Sequence, residues 1–336
     1  MYLGTQYEPR DLTPDYYQHL VQLGCNHVCS TPSGHPATWT AKSLTAHREK
    51  IEAYDLVLDM IPLGHIGIGQ GDPWRAIMLG TDDRDQALDS VCDAIRHTAA
   101  AGIPAMKYYL HYLGVVSTGH VPGRGGSQNR TFVYADAAQE PLTEAGPIDA
   151  DTMWERIACF LERVIPVAAE YKIRLACHPH DPPVPRPRGL RGIDRVMGDV
   201  NGLKRFVEIA ENPYHGLNFC QGTICEMLED PNAEICDIIR YFGQRDKIFN
   251  VHFRNIRGGF CDFVETFPDE GDVDMYEALR AYKEVDYQYM VMPDHVPKIA
   301  GPNPDLVAFG FALGYQKALM QAIDHLDRYG YSPAAH

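Results

Sequence analysis

Four side chains of metal-binding type each close a short apolar run. His178 opens His178-Pro179-His180-Asp181-Pro182-Pro183 after Ile173-Arg174-Leu175-Ala176-Cys177, and Cys220 follows Leu217-Asn218-Phe219. His252 stands in Phe249-Asn250-Val251-His252-Phe253-Arg254-Asn255, and Asp294-His295 follows Tyr289-Met290-Val291-Met292-Pro293. Side chains at the ends of successive parallel strands converge on one face of a sheet or barrel. Two imidazoles, a thiolate and a carboxylate brought together suffice to hold a divalent cation. Taken singly, His178 reads as a packed or surface histidine and Cys220 as a buried thiol. Their repetition at matching positions is what makes a site. A mixed nitrogen, sulfur and oxygen set suits Zn²⁺, Mn²⁺ or Fe²⁺, and the thiolate by itself leans toward Zn²⁺.

The flanking residues extend the chemistry. Arg254 and Asn255 follow His252 closely, and a guanidinium with an amide is suited to capture of a carboxylate or hydroxyls. His295, beside Asp294, is a candidate general acid or base. His65, His111, His180 and Asp181 are further ligand-type residues that read singly as supporting or surface groups. His65, His180 and Tyr108 join Arg254 and Asn255 as expected substrate contacts.

Positioning these groups requires strands. Eight apolar or β-branched runs qualify: residues 2–6, 27–31, 56–63, 105–110, 173–178, 216–220, 248–253 and 289–292. Helical spacing fills most of the intervals, as in Asp83 to Ile95, where Leu88, Val91, Cys92 and Ile95 share a face. Helices are also expected over 153–171, with Pro166 kinking the chain, and over 202–210, 232–242, 275–283 and 305–327. Eight alternations without a break in composition predict one (β/α)₈ TIM barrel over residues 1–336. A doubly wound sheet with a small cap is the alternative. One connection is out of scale. Residues 115–148, after the fourth strand, are rich in Gly, Pro, Ser and Asn, and in a barrel such an insertion lies over the mouth as a lid, a partner contact or a passive loop.

The chain has 336 residues, a formal charge of −15 and a hydrophobic fraction of 45%. That charge argues against binding nucleic acid or an anionic membrane, yet leaves room for a small anion held by a local metal and arginines. Nine cysteines without regular spacing fit reduced thiols in a cytoplasmic protein. The N-terminus lacks the pattern of a signal peptide, and no run of roughly 18 apolar residues stands out as a membrane span.

The motifs together resemble those of mannonate dehydratases, in the xylose-isomerase-like group of TIM barrels. The resemblance is carried by Val164-Ile165-Pro166-Val167-Ala168, His178-Pro179 to Pro183, Phe219-Cys220-Gln221-Gly222-Thr223, His252-Phe253-Arg254-Asn255 and Pro293-Asp294-His295. It implies a Mn²⁺-type ion on His178, Cys220, His252 and Asp294, with Fe²⁺, Zn²⁺ and Co²⁺ as alternatives. It also implies removal of water from a six-carbon aldonic acid to give a 2-keto-3-deoxy acid, with Arg254 and His295 catalytic, and a homo-oligomer. Four positions depart from the family pattern: His180 replaces an aspartate, Met292 an arginine, Val296 a glycine and Phe309 a tyrosine credited with proton transfer. Tyr108, Tyr112 or His65 would then have to supply a proton. The departures keep open a metal-dependent sugar isomerase, epimerase or eliminase, and a silent barrel that binds a sugar acid or a protein.

Overall fold

In the computed structural model, which describes residues 1–9, 14–187 and 189–329, the apolar runs become eight parallel strands that close on themselves. They are β1 (Tyr2–Thr5), β2 (His27–Cys29), β3 (Val57–Ile66), β4 (Ala105–Leu110), β7 (Arg174–Cys177), β8 (His215–Cys220), β9 (Ile248–His252) and β12 (Met290–Met292). Their order around the barrel is β1-β12-β9-β8-β7-β4-β3-β2. The doubly wound alternative therefore falls, because β1 pairs with both β12 and β2 and leaves no edge.

The helices are α1 (Pro14–Leu23), α2 (Ala41–Glu52), α3 (Arg75–Leu79), α4 (Arg84–Ala100), α5 (Ala150–Tyr171), α6 (Val200–Glu208), α7 (Gln221–Cys225), α8 (Pro231–Gly243), α9 (Met275–Glu284) and α10 (Pro304–Tyr329). The longer ones follow their apolar stripe. In α5, Asp149 caps the N-terminus by accepting from the Thr152 N–H, and Ile157, Phe160, Leu161, Val164 and Ala168 are buried against the barrel. Burial of each of the four larger side chains contributes about 1.5–3 kcal/mol. Pro166 lies inside α5 without ending it, leaving only the Glu162 carbonyl without its helical donor.

Within the barrel, Cys29, Met60, Ala105, Ala176, Phe249, Met290 and Met292 form a separate apolar cluster. This cluster is the packed floor beneath the C-terminal mouth. Met292, which departs from the family pattern, is fully buried in it.

The out-of-scale insertion is ordered. Its β5 (Gly119–Pro122) and β6 (Gln128–Val133) pair with each other, and β6 pairs with β11 (Asp262–Glu265), which pairs in turn with β10 (Ile256–Gly259). The sequence reading missed β10 and β11, the hairpin that follows β9. The resulting four-stranded antiparallel sheet is tied to the segment after Asp294 by paired backbone hydrogen bonds between Gln128 and Lys298.

One expectation needs correcting. The stretch Pro304–Leu326 of α10 is long enough, with mean hydropathy 1.2, to pass as a membrane span by composition. Here Ala308, Phe309, Ala312, Leu313 and Ile323 are buried against the rest of the chain, while Val307 and Phe311 are exposed.

Candidate metal centre and cavity

The C-terminal ends of β7, β8, β9 and β12 bring His178, Cys220, His252 and Asp294 together, with one ligand atom from each lying within 4.8 Å of all the others. Local bonding prepares these atoms for a cation. His178 Nδ1 lies 2.7 Å from the Pro179 carbonyl, so it carries the proton and leaves Nε2 as a lone pair. In His252, Nε2 sits 3.2 Å from the Asn218 amide, whereas the buried Nδ1 has no hydrogen-bond partner and lies 3.3 Å from Asp294 Oδ1. It is the Asn218 amide nitrogen that faces Nε2, while the Asn218 oxygen accepts from Asn250 Nδ2 at 2.7 Å.

The thiol is activated in place. Burial alone would raise the Cys220 pKa, but the Arg254 guanidinium, 3.7 Å from the sulfur, brings it below the ordinary value. Thr223 Oγ1 donates to the same sulfur at 3.1 Å. Asp294 is likewise held well below the usual carboxylate range against its burial, by His252 and His295. A sulfur whose pKa is lowered, a carboxylate and two imidazoles, one with a buried nitrogen that lacks a hydrogen-bond partner, fit a divalent cation.

Beside this cluster is a cavity of about 260 Å³, open at the barrel mouth. Its walls include Gln6, His65, Lys107, Tyr109, Arg130, Asp181 and Asn218 together with His178, His252, Asp294 and His295. His295 is clamped, with Nδ1 2.8 Å from Glu265 Oε2 and Nε2 3.2 Å from Asp294 Oδ2. Burial opposes protonation, but these two carboxylates overcome it and raise the imidazole pKa to about 10.

Several expected substrate contacts lie elsewhere. Arg254 is buried behind the ligands, 2.9 Å from both Glu226 and Glu265 and 3.6 Å from both Asp181 and Asp294. Gly222 permits this: a Cβ there would lie 2.6 Å from the Arg254 Cζ. Asn255 donates to Pro268 and Val273 carbonyls and accepts from the Ile256 and Val273 N–H groups, so its amide is fully engaged by the protein. His180 is buried, bonded to the Leu110 carbonyl and the Met197 N–H. Tyr108 touches the cavity, but its ring packs on Phe160 and its hydroxyl is buried. Tyr112 donates to the Met78 carbonyl. Of the expected contacts, His65 faces the cavity, its Nδ1 2.9 Å from His111 Nε2.

The guanidinium that does line the cavity is Arg130, carried on β6 and placed 3.4 Å from Glu265 and 3.8 Å from Asp181. The sequence reading also passed over Gln6, Lys107, Tyr109, Glu226 and Glu265. A lysine inside the apolar strand Ala105-Met106-Lys107-Tyr108-Tyr109-Leu110 was the available signal.

Phe309, at the family's tyrosine position, stacks on Tyr7 with ring centroids 4.1 Å apart and is absent from the cavity walls. A Phe309→Tyr variant is therefore expected to change kcat/KM by less than about threefold, below 1 kcal/mol. A gain of tenfold or more would put that ring in the reaction.

The family model for D-mannonate dehydratase (UxuA) matches residues 134–328. The mannonate dehydratase of Thermotoga maritima is 32% identical over 330 residues, covering 86% of this chain and 88% of the relative. That of Streptococcus pneumoniae is 25% identical, covering 84% and 80%. The crystal structure of mannonate dehydratase from Streptococcus suis superposes with a TM-score of 0.83 at 22% identity, over 99% of this chain and 95% of that one. A D-tagatose 3-epimerase-like protein shares the barrel at a TM-score of 0.62 and 13% identity, covering 97% and 99%. Sequence, barrel and ligand cluster converge: the chain belongs to the D-mannonate dehydratase family, and is a hydro-lyase acting on a sugar acid.

Proposed function

We propose that the substrate is D-mannonate and that Mn²⁺ occupies the cluster of His178, Cys220, His252 and Asp294. The observation that carries this reading is the convergence of those four ligand atoms on a cavity that also holds His295, Arg130 and Lys107. A divalent ion bound there supplies a Lewis acid for the substrate oxygens and draws the charge of Asp294 away from His295.

The chain's own residues do the rest. Glu265 anchors His295 Nδ1, so Nε2 is the atom that exchanges protons. With Asp294 engaged by the ion, Nε2 in its neutral form takes the C2 proton; the C–H electron pair moves onto the carboxylate and then forms the C2=C3 bond as the C3–O bond breaks. The departing hydroxyl takes that proton back and leaves as water, and the enol tautomerises to the 2-keto-3-deoxy acid. One imidazole thus serves both transfers in a chain with Phe309 outside the cavity. Arg130 receives the polar end of the sugar acid farther from the metal. Nine free thiols support a reducing cytoplasm, and the exposed Val307 and Phe311 of α10 support pairing of copies through that face.

The test is incubation with Mn²⁺ and a panel of aldonic acids, following formation of 2-keto-3-deoxy product. Mannonate is expected to give the highest kcat/KM, and Arg130→Met to raise KM by about 10- to 100-fold, the loss of one charged hydrogen-bond partner. Turnover of another acid with none of mannonate would sink the substrate assignment.

A further inference from the structure

We infer that Lys107 is a catalytic residue whose ammonium holds the carboxylate of the bound sugar acid and the charge that builds on it. The inward register of β4 is the starting point. Ala105 belongs to the lumen cluster and Tyr108 packs outward on Phe160, so alternation puts Lys107 on the lumen side with Ala105 and Tyr109. From there Lys107 crosses toward β1, where Nζ donates to Gln6 Oε1, and Gln6 Nε2 donates to Asp294 Oδ1 at 2.7 Å. Lys107 lines the same cavity as His178, His252, Asp294 and His295.

What sets this cation apart is the lack of a matching charge. Arg254 faces four carboxylates, Arg130 faces Asp181 and Glu265, and His295 faces Glu265 and Asp294. Among the described residues no carboxylate pairs with Lys107. Its neighbours are the neutral Gln6 amide and the Cys29 thiol, which burial keeps protonated. An ammonium has three N–H bonds, and Gln6 takes one. The remainder meet an anionic ligand at the cavity floor, beside the metal ligand Asp294.

Provided an aldonate occupies the cavity, as proposed above, this placement has a defined use. Loss of the C2 proton pushes charge onto the carboxylate oxygens, and an ammonium already in position stabilises that charge more than it stabilises the ground state. The assignment also explains how a lysine is tolerated in a strand that is otherwise apolar.

The decisive variant is Lys107→Met, compared with wild type for metal content, turnover and binding of D-mannonate and of D-mannitol, the uncharged polyol of the same chain. Metal content is expected to be unchanged and kcat/KM to fall by about 100- to 1000-fold, the scale for loss of one charge-stabilising donor. Mannonate binding is expected to weaken by about tenfold or more while mannitol binding changes by less than about twofold. Lys107→Cys alkylated with 2-bromoethylamine restores the ammonium and is expected to recover turnover, against wild type treated identically. Equal weakening of acid and polyol, loss of the metal, or a wild-type kcat/KM in Lys107→Met would overturn the assignment. Failure of wild type itself to bind mannonate overturns the substrate reading instead, and the acid-against-polyol comparison then decides Lys107 with the acid that is turned over.

Discussion

Replacing Arg254 with methionine is expected to destabilise the fold by about 3–5 kcal/mol, the cost of removing one partner from a buried charge cluster. The guanidinium is enclosed by Glu226, Glu265, Asp181 and Asp294, and Glu226 is fully buried. Burial and the neighbouring Asp181 already push Glu226 well above the usual carboxylate range, with Arg254 opposing them. Without Arg254 the remaining carboxylates repel one another around the fully buried Glu226, and the Cys220 thiol loses the charge that lowers its pKa. Arg254→Lys keeps the charge but not the planar fork that meets Glu226, Glu265 and Thr223 together, so it is expected to fall between. Urea unfolding measures both. A loss below about 1 kcal/mol for Arg254→Met would mean the acidic cage is neutralised by protonation instead.

Replacing His252 with alanine is expected to lower turnover by at least about 1000-fold while leaving the barrel folded, since the site then has one nitrogen donor and two anionic ligands. Supporting residues around metal ligands are worth about 10- to 100-fold in affinity, and a ligand itself is worth more. The side chain lies at the end of β9, and its removal frees the Asn218 amide without exposing the apolar floor below. Metal analysis of the purified variant should show an empty site. Wild type should lose activity on prolonged chelation and regain it with Mn²⁺ at one ion per chain. Retention of activity after complete removal of the metal would refute the assignment of the cluster.

The barrel and the cluster of four ligand-type side chains were legible for the same reason. Parallel strands buried on both faces read as continuous apolar runs, and a polar residue closing such a run marks the strand end where a site can form. Arg254 and Asn255 were misread because closeness in sequence was taken for closeness to substrate. The Arg254 N–H bonds the His252 carbonyl at 3.1 Å, a tight turn that swings the guanidinium behind Cys220. Lys107 and Tyr109 were within sight, but which face of β4 points inward is settled only when the barrel closes. Residues 115–148 read as loop because β5 and β6 are short and flanked by glycine, and the second partner of β6, β11, lies about 130 residues away. No local pattern announces a sheet assembled from two distant hairpins.

That assembly has an evolutionary corollary. Neither hairpin is self-sufficient: Phe132 on one and Phe263 on the other are buried directly opposite each other in the β6–β11 ladder, and separating them leaves two apolar edges exposed. One hairpin supplies Arg130 and the other Glu265, which meet over the cavity. A barrel acquiring this rim by recombination must therefore inherit both segments at once, and a graft of either alone onto a simpler barrel would carry half of the charge pair and an open strand edge.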